Sequence, residues 1–135
     1  MGKRRRAREC ALQMLFQIDL IGVEPAEVYA QFWDEHDTED DVRAFSQELV
    51  DGVCTTREQL DARITEIAEH WRIERMAVVD RNVLRMALYE MNRQPQTPIA
   101  IVIDEAIEVA RRFGSEESAK FVNGVLDALR RDAVE

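Results

Sequence analysis

Apolar positions recur along the chain at intervals of three and four, and runs alternating polar with apolar residues are missing. That periodicity predicts helices almost throughout and an all-α fold of about seven helices. The first stripe is Ala7, Cys10, Ala11, Met14, Leu15 and Ile18, and it ends near LIGVEP, where Gly22 and Pro25 interrupt the pattern. A second helix is expected from Pro25 through Trp33. The stretch DEHDTEDD is polar enough to be a loop, with Thr38 or Asp40 as N-cap of a third helix from Asp41 to Val53. Leu60, Ile64, Ile67 and Trp71 mark a fourth helix, and HWRIERM leads into a fifth whose stripe, Val79, Val83, Leu84, Ala87, Leu88 and Met91, should lie deep in the bundle. Pro95 and Pro98 must break the chain. Thr97 followed by Pro98 is the N-cap and N1 pairing that opens a sixth helix along Ile99, Val102, Ala106, Val109 and Phe113. Gly114 is placed to stop it, and Ser115 to cap a seventh that buries Val122, Val125, Leu126 and Leu129.

At 135 residues and 46% hydrophobic, the chain is long enough to bury a core without disulfides or metals, so a single compact domain over residues 1–135 is expected. No apolar run approaches the roughly 18 to 20 residues of a membrane span, and the start is amphipathic rather than a signal peptide's continuous apolar block, so a cytoplasmic location follows by elimination. Cys10 and Cys54 lack CxxC spacing and have apolar neighbours, which reads as buried free thiols. His36 and His70 stand at no ligand spacing, and neither a metal nor a cofactor is expected. Carboxylates abound without a paired base, nucleophile signature or glycine-rich phosphate loop, so catalysis is not expected. Asp104, Glu105 and Glu108 before Arg111 and Arg112 read as a local stabilising charge pattern.

Charge changes the picture. The chain carries 18 Lys and Arg against 27 Asp and Glu, net −9, yet Lys3, Arg4, Arg5, Arg6 and Arg8 fall within the first eight residues. Without those five the remainder is near −14. Cations at a helix N-terminus oppose the macrodipole by roughly 0.3–1 kcal/mol each, so the cluster does not help its own helix. Two readings fit: a solvated terminus that balances the acidic body, or a site for polyanionic phosphate. An acidic remainder would repel nucleic acid from most of the surface, which favours a defined single-stranded or looped RNA entering at the basic end. Phe121 lies off the main stripe of its helix and beside Lys120, either as the edge of the core or as a stacking platform. Gly124 inside a helix costs about 1 kcal/mol relative to Ala, which a binding surface or, in the preferred reading, close approach of another helix would explain.

Taken together, RRRARECALQMLFQID, DRNVLRMALYEM, TPIAIVIDEAIEVARRFG and SEESAKFVNGVLD resemble the NusB family of transcription antitermination factors, in order and nearly end to end. The resemblance implies two small helical bundles packed perpendicular to each other. It implies binding of the boxA element of ribosomal RNA leader transcripts together with the ribosomal protein NusE, within an antitermination complex in which RNA polymerase reads through terminators. By matched motif it places Lys3, Arg4, Arg5, Arg6 and Arg8 on an RNA-binding start, Glu117, Lys120 and Phe121 on the same RNA surface, and Asp80 near the RNA and partner surface. Glu117 stands where family members carry Asp. Two rivals remain at this point: a NusB-like domain akin to that of ribosomal RNA cytosine methyltransferases, and a helical protein-interaction module without specific RNA binding. Exposed apolar edges would also suit a homodimer.

Overall fold

The computed structural model describes residues 2–134. Seven α-helices run α1 Lys3–Ile21, α2 Pro25–Glu35, α3 Asp40–Thr55, α4 Arg57–Ile67, α5 Val78–Arg93, α6 Ile99–Phe113 and α7 Glu116–Val134, with a 3₁₀ turn at Ile73–Arg75, and the described residues include no strand. The all-α expectation holds. Helices α1, α2 and α3 pack on one another, α4 to α7 form a second group, and α5 joins the two by lying against both α1 and α3. Its central place follows from its sequence: every residue from Asn82 to Leu88 is buried. Leu12, Met14, Leu49, Ile64, Leu84 and Leu126 are among the largest fully buried side chains of one continuous core. Burying each from water contributes on the order of 1.5–3 kcal/mol.

The helix ends show where local chemistry decides. Gly22 ends α1 with φ 80°, a left-handed conformation that glycine adopts without strain, and its amide reaches the Ile18 carbonyl at 2.8 Å. Ser115 does cap α7, its Oγ accepting from the Ser118 amide at 3.1 Å. For α6 the expected pairing shifts by one residue, because Pro98 itself is the N-cap and the helix begins at Ile99. Neither Thr38 nor Asp40 caps α3; Glu39 holds that position with no side-chain cap bond. Helix α4 stops at Ile67, so Trp71 falls outside it and is 59% exposed rather than part of its stripe.

Two glycines depart from simple expectation. A Cβ at Gly124 would meet nothing within 4 Å, so no close helix approach explains it. The close approach lies instead at Gly52, where a Cβ would run into the Tyr89 ring and where α3 and α5 therefore touch.

A polar clasp fastens the end of α1 to α4 and α5. Asp19, with its side chain 5% exposed, accepts from Arg81 at 2.7 and 3.0 Å, from Asn82 at 2.9 Å, from Arg85 at 3.1 Å and from Arg57 at 3.2 Å. Arg85 also reaches Asp61 at 2.7 and 3.0 Å. Burial alone would raise the Asp19 carboxyl, but hydrogen bonds from Arg81 and Asn82 and the charges of Arg85 and Arg81 outweigh it and hold it at about 2.

Candidate nucleic-acid interface

The basic start does not fray ahead of the first helix. Lys3 to Arg8 occupy the first two turns of α1, and the five basic side chains divide between the interior and the surface. Arg8 is 4% exposed and turned inward, donating through Nε and Nη2 to the two oxygens of Glu90 at 2.9 and 2.5 Å. Glu90 is itself 1% exposed, on α5. Arg5 makes a similar fork with Glu105 of α6 at 2.9 and 2.6 Å, partly buried. These two bases anchor α1 to the second helical group, and Arg8 has no surface from which to meet a ligand.

The other three remain at the surface. Lys3 sits between Glu39 at 2.6 Å and Asp41 at 3.1 Å, with all three side chains more than half exposed. Such exposed pairs contribute roughly 0–1 kcal/mol and are readily exchanged for another anion. Arg4 lies over the Phe45 ring, 3.9 Å from its centroid, with no carboxylate partner among the described residues. Arg6 donates only to neutral oxygens, Thr38 Oγ1 at 3.1 Å and the Asp37 carbonyl at 3.5 Å. Lys3 and Arg6 line an open groove of about 670 Å³ together with Glu9, Asp37, Glu39 and Arg112, the last bound by Glu9 at 2.8 Å. Three of the five bases, Lys3, Arg5 and Arg8, are thus paired with acids brought in from α5, α6, the α2–α3 connection and the first turn of α3. Of the local pairs read from spacing, only Glu108 with Arg111 forms, at 2.5 Å; Glu105 and Arg112 bind residues of α1 instead.

Asp80, Glu117 and Phe121 come together elsewhere. The first turns of α5 and α7 converge on a second groove of about 310 Å³ lined by these three, Ser118, Trp71 and Arg75. Asp80 is half-buried, and its Oδ1 is enclosed with no hydrogen-bond partner. Phe121 is half-buried as well, and its ring meets Trp71 edge to face at 5.4 Å between centroids. Lys120 is exposed and makes no ion pair among the described residues. The candidate residues therefore form two groups rather than one. The corner between α6 and α7 lies between them, since Arg112 borders the first groove and Ser118 the second.

Sequence reasoning placed Trp71 on the stripe of the fourth helix and did not single out Arg75. Neither groove gathers a set of catalytic groups. Among the described residues no cluster of His, Cys, Asp and Glu could hold a metal ion, and no helix is long and apolar enough to cross a membrane.

The model of the NusB family matches residues 5–131. The chain belongs to that family. The transcription antitermination protein NusB of Sorangium cellulosum (strain So ce56) is 46% identical over 129 residues, 96% of this chain and 92% of that one. Its counterpart from Koribacter versatilis (strain Ellin345) is 48% identical over 132 residues, covering 97% and 90%. Among solved structures, the crystal structure of the antitermination factors NusB and NusE in complex with double-stranded RNA superposes with a TM-score of 0.88 at 28% identity, over 98% of both chains. T. maritima NusB superposes with a TM-score of 0.85 at 37% identity, over 92% of this chain and 87% of that one. The NusB family consists of transcription antitermination factors and not of enzymes.

Proposed function

We propose that the protein binds the boxA element of ribosomal RNA leader transcripts together with NusE, and that the assembly lets RNA polymerase in the cytoplasm read through terminators. The observation that carries this reading is the division of labour within α1. Arg5 and Arg8 are spent on Glu105 and Glu90 to fix the helix, which leaves Lys3, Arg4 and Arg6 on its exposed side to meet phosphate. Belonging to the NusB family supports it, as does the likeness to a NusB that was crystallised with NusE and RNA.

Lys3, Arg4 and Arg6 contact the RNA backbone in this account, while Arg5 and Arg8 position them. Asp80, Glu117, Lys120 and Phe121 form the second contact around the α6–α7 corner. Three surface bases on a chain of net −9 hold RNA weakly, each phosphate contact adding only about 0.7 to the salt slope for a single strand. A partner that joins near α5 and the C-terminal region and extends the site is therefore required, and NusE fills that role. The test is the affinity for boxA RNA and for a scrambled RNA, each with and without NusE. Preference for boxA that strengthens with NusE is expected. Tight binding of boxA by the isolated chain, equal to that of the mixture, would refute the account of NusE, and indifference to sequence would favour a protein-docking module.

A further inference from the structure

The eight residues from Asp34 to Asp41 include six acids, and the second half of that stretch lies along the exposed side of the α1 start. Lys3 is held between Glu39 and Asp41, and Arg6 between the Thr38 hydroxyl and the Asp37 carbonyl. These contacts do not hold the helices together. α1 and α3 pack on each other with Val42, Phe45 and Leu49 of α3 buried in the common core, whereas Lys3, Glu39 and Asp41 keep more than half of each side chain in water. Glu39 sits at the N-cap of α3 without capping it through its side chain, so its carboxylate has no duty to its own helix. The connection thus presents to Lys3 and Arg6 what an RNA backbone would present, anionic and neutral oxygens. Of the three surface bases only Arg4, over the Phe45 ring, is left uncovered by it.

We propose that the acidic end of the α2–α3 connection is an autoinhibitory guard: Glu39 and Asp41 occupy Lys3 in place of phosphate, and RNA completes its contact with α1 only by displacing them. Arg4, already uncovered, meets the phosphate first. Displacement costs every polyanion alike, whatever its bases, so the guard lowers affinity without altering the preference between sequences. RNA held by the basic start alone is then bound too weakly to persist, and retention depends on contacts made elsewhere. The inference rests on the RNA reading and adds to it the residues that oppose binding.

A double-mutant cycle tests it. Binding of boxA and of scrambled RNA is measured by fluorescence anisotropy, with NusE present, on the wild type, Glu39→Gln with Asp41→Asn, Lys3→Ala, and the triple variant. Asn at position 41 keeps an oxygen for the Val42 amide, which Asp41 now accepts at 2.9 Å, and circular dichroism should show wild-type helicity in all four proteins. Removing the guard should tighten both RNAs about 2- to 10-fold and by the same factor, since exposed ion pairs are each worth at most about fivefold. The slope of log K against log salt should steepen by up to about 0.7, because Lys3 then neutralises a phosphate without uncovering a carboxylate. In the Lys3→Ala background the same two substitutions should change affinity by less than about 2-fold, nothing being left to guard. Equal tightening in both backgrounds would show that the acids only repel phosphate at a distance, and no tightening in either that they do not restrain Lys3. Both results would overturn the guard and leave the RNA reading intact. Absence of RNA binding by the wild type and by the variant without the guard would overturn both.

Discussion

Replacing Arg8 with Ala removes the one side chain that hydrogen-bonds the Glu90 carboxylate among the described residues and leaves that carboxylate 1% exposed in the core. Breaking a buried pair from one side costs about 3–5 kcal/mol, because the remaining charge loses its partner without regaining water. Against a total stability of about 5–15 kcal/mol the loss is large. In urea, with a slope of about 2 kcal/mol per M, a loss of about 4 kcal/mol moves the midpoint down by about 2 M. The double variant Arg8→Met with Glu90→Leu removes both charges at similar volume and should recover most of that loss. It should also bind RNA as the wild type does, since Arg8 contributes by holding α1 and not by touching phosphate. Arg8→Ala unfolding within about 1 kcal/mol of the wild type would refute the energetic argument. A stable double variant that had lost RNA affinity would refute the structural assignment of Arg8.

Other consequences are as direct. The Asp19 carboxyl is held at about 2 in the fold against 3.8 as its ordinary value, so the clasp's contribution is complete above about pH 5, falls as pH drops through 4 toward 2, and amounts to about 2 kcal/mol. Asp19→Asn should remove that acid-limb dependence in urea melts recorded from pH 6 to pH 2.5, and an unchanged limb would contradict the assignment. Gly52→Ala should destabilise by about 1–3 kcal/mol or more as the new methyl meets the Tyr89 ring. Gly124→Ala should instead stabilise by up to about 1 kcal/mol, since its Cβ has open space around it; thermal melts of the two variants moving in the same direction would contradict this contrast. Phe121→Ala should weaken RNA binding by about 1–3 kcal/mol with little change in salt slope, whereas a phosphate contact would change the slope.

The helices were legible because each buries a stripe whose period is written in the sequence, and Gly22 and Ser115 marked ends that the structure keeps. What local reading missed depends on residues far apart in the chain. Nothing near Arg8 announces Glu90, 82 positions away, although Arg8 does precede Leu12 and Leu15 at helical spacing and so shares their inward face. Treating the five bases as one cluster hid that two of them are structural. Trp71 was assigned to the α4 stripe because it follows Ile67 by four, but the helix stops at Ile67 and the indole turns to the surface. Gly124 was explained by packing that exists instead at Gly52, where the residue on the other side of the contact, Tyr89, lies in a helix that no periodicity places opposite α3.

The exposed side of α1 is the centre of the account, and its most direct test is a salt titration of boxA and scrambled RNA with NusE present, on the wild type and on the Arg4→Ala, Arg6→Ala double variant. The account predicts preference for boxA, and a slope of log K against log salt flatter by about 1.4 in the variant, from about 0.7 for each lost phosphate contact. An unchanged slope, or equal binding of the two RNAs by the wild type, would contradict it.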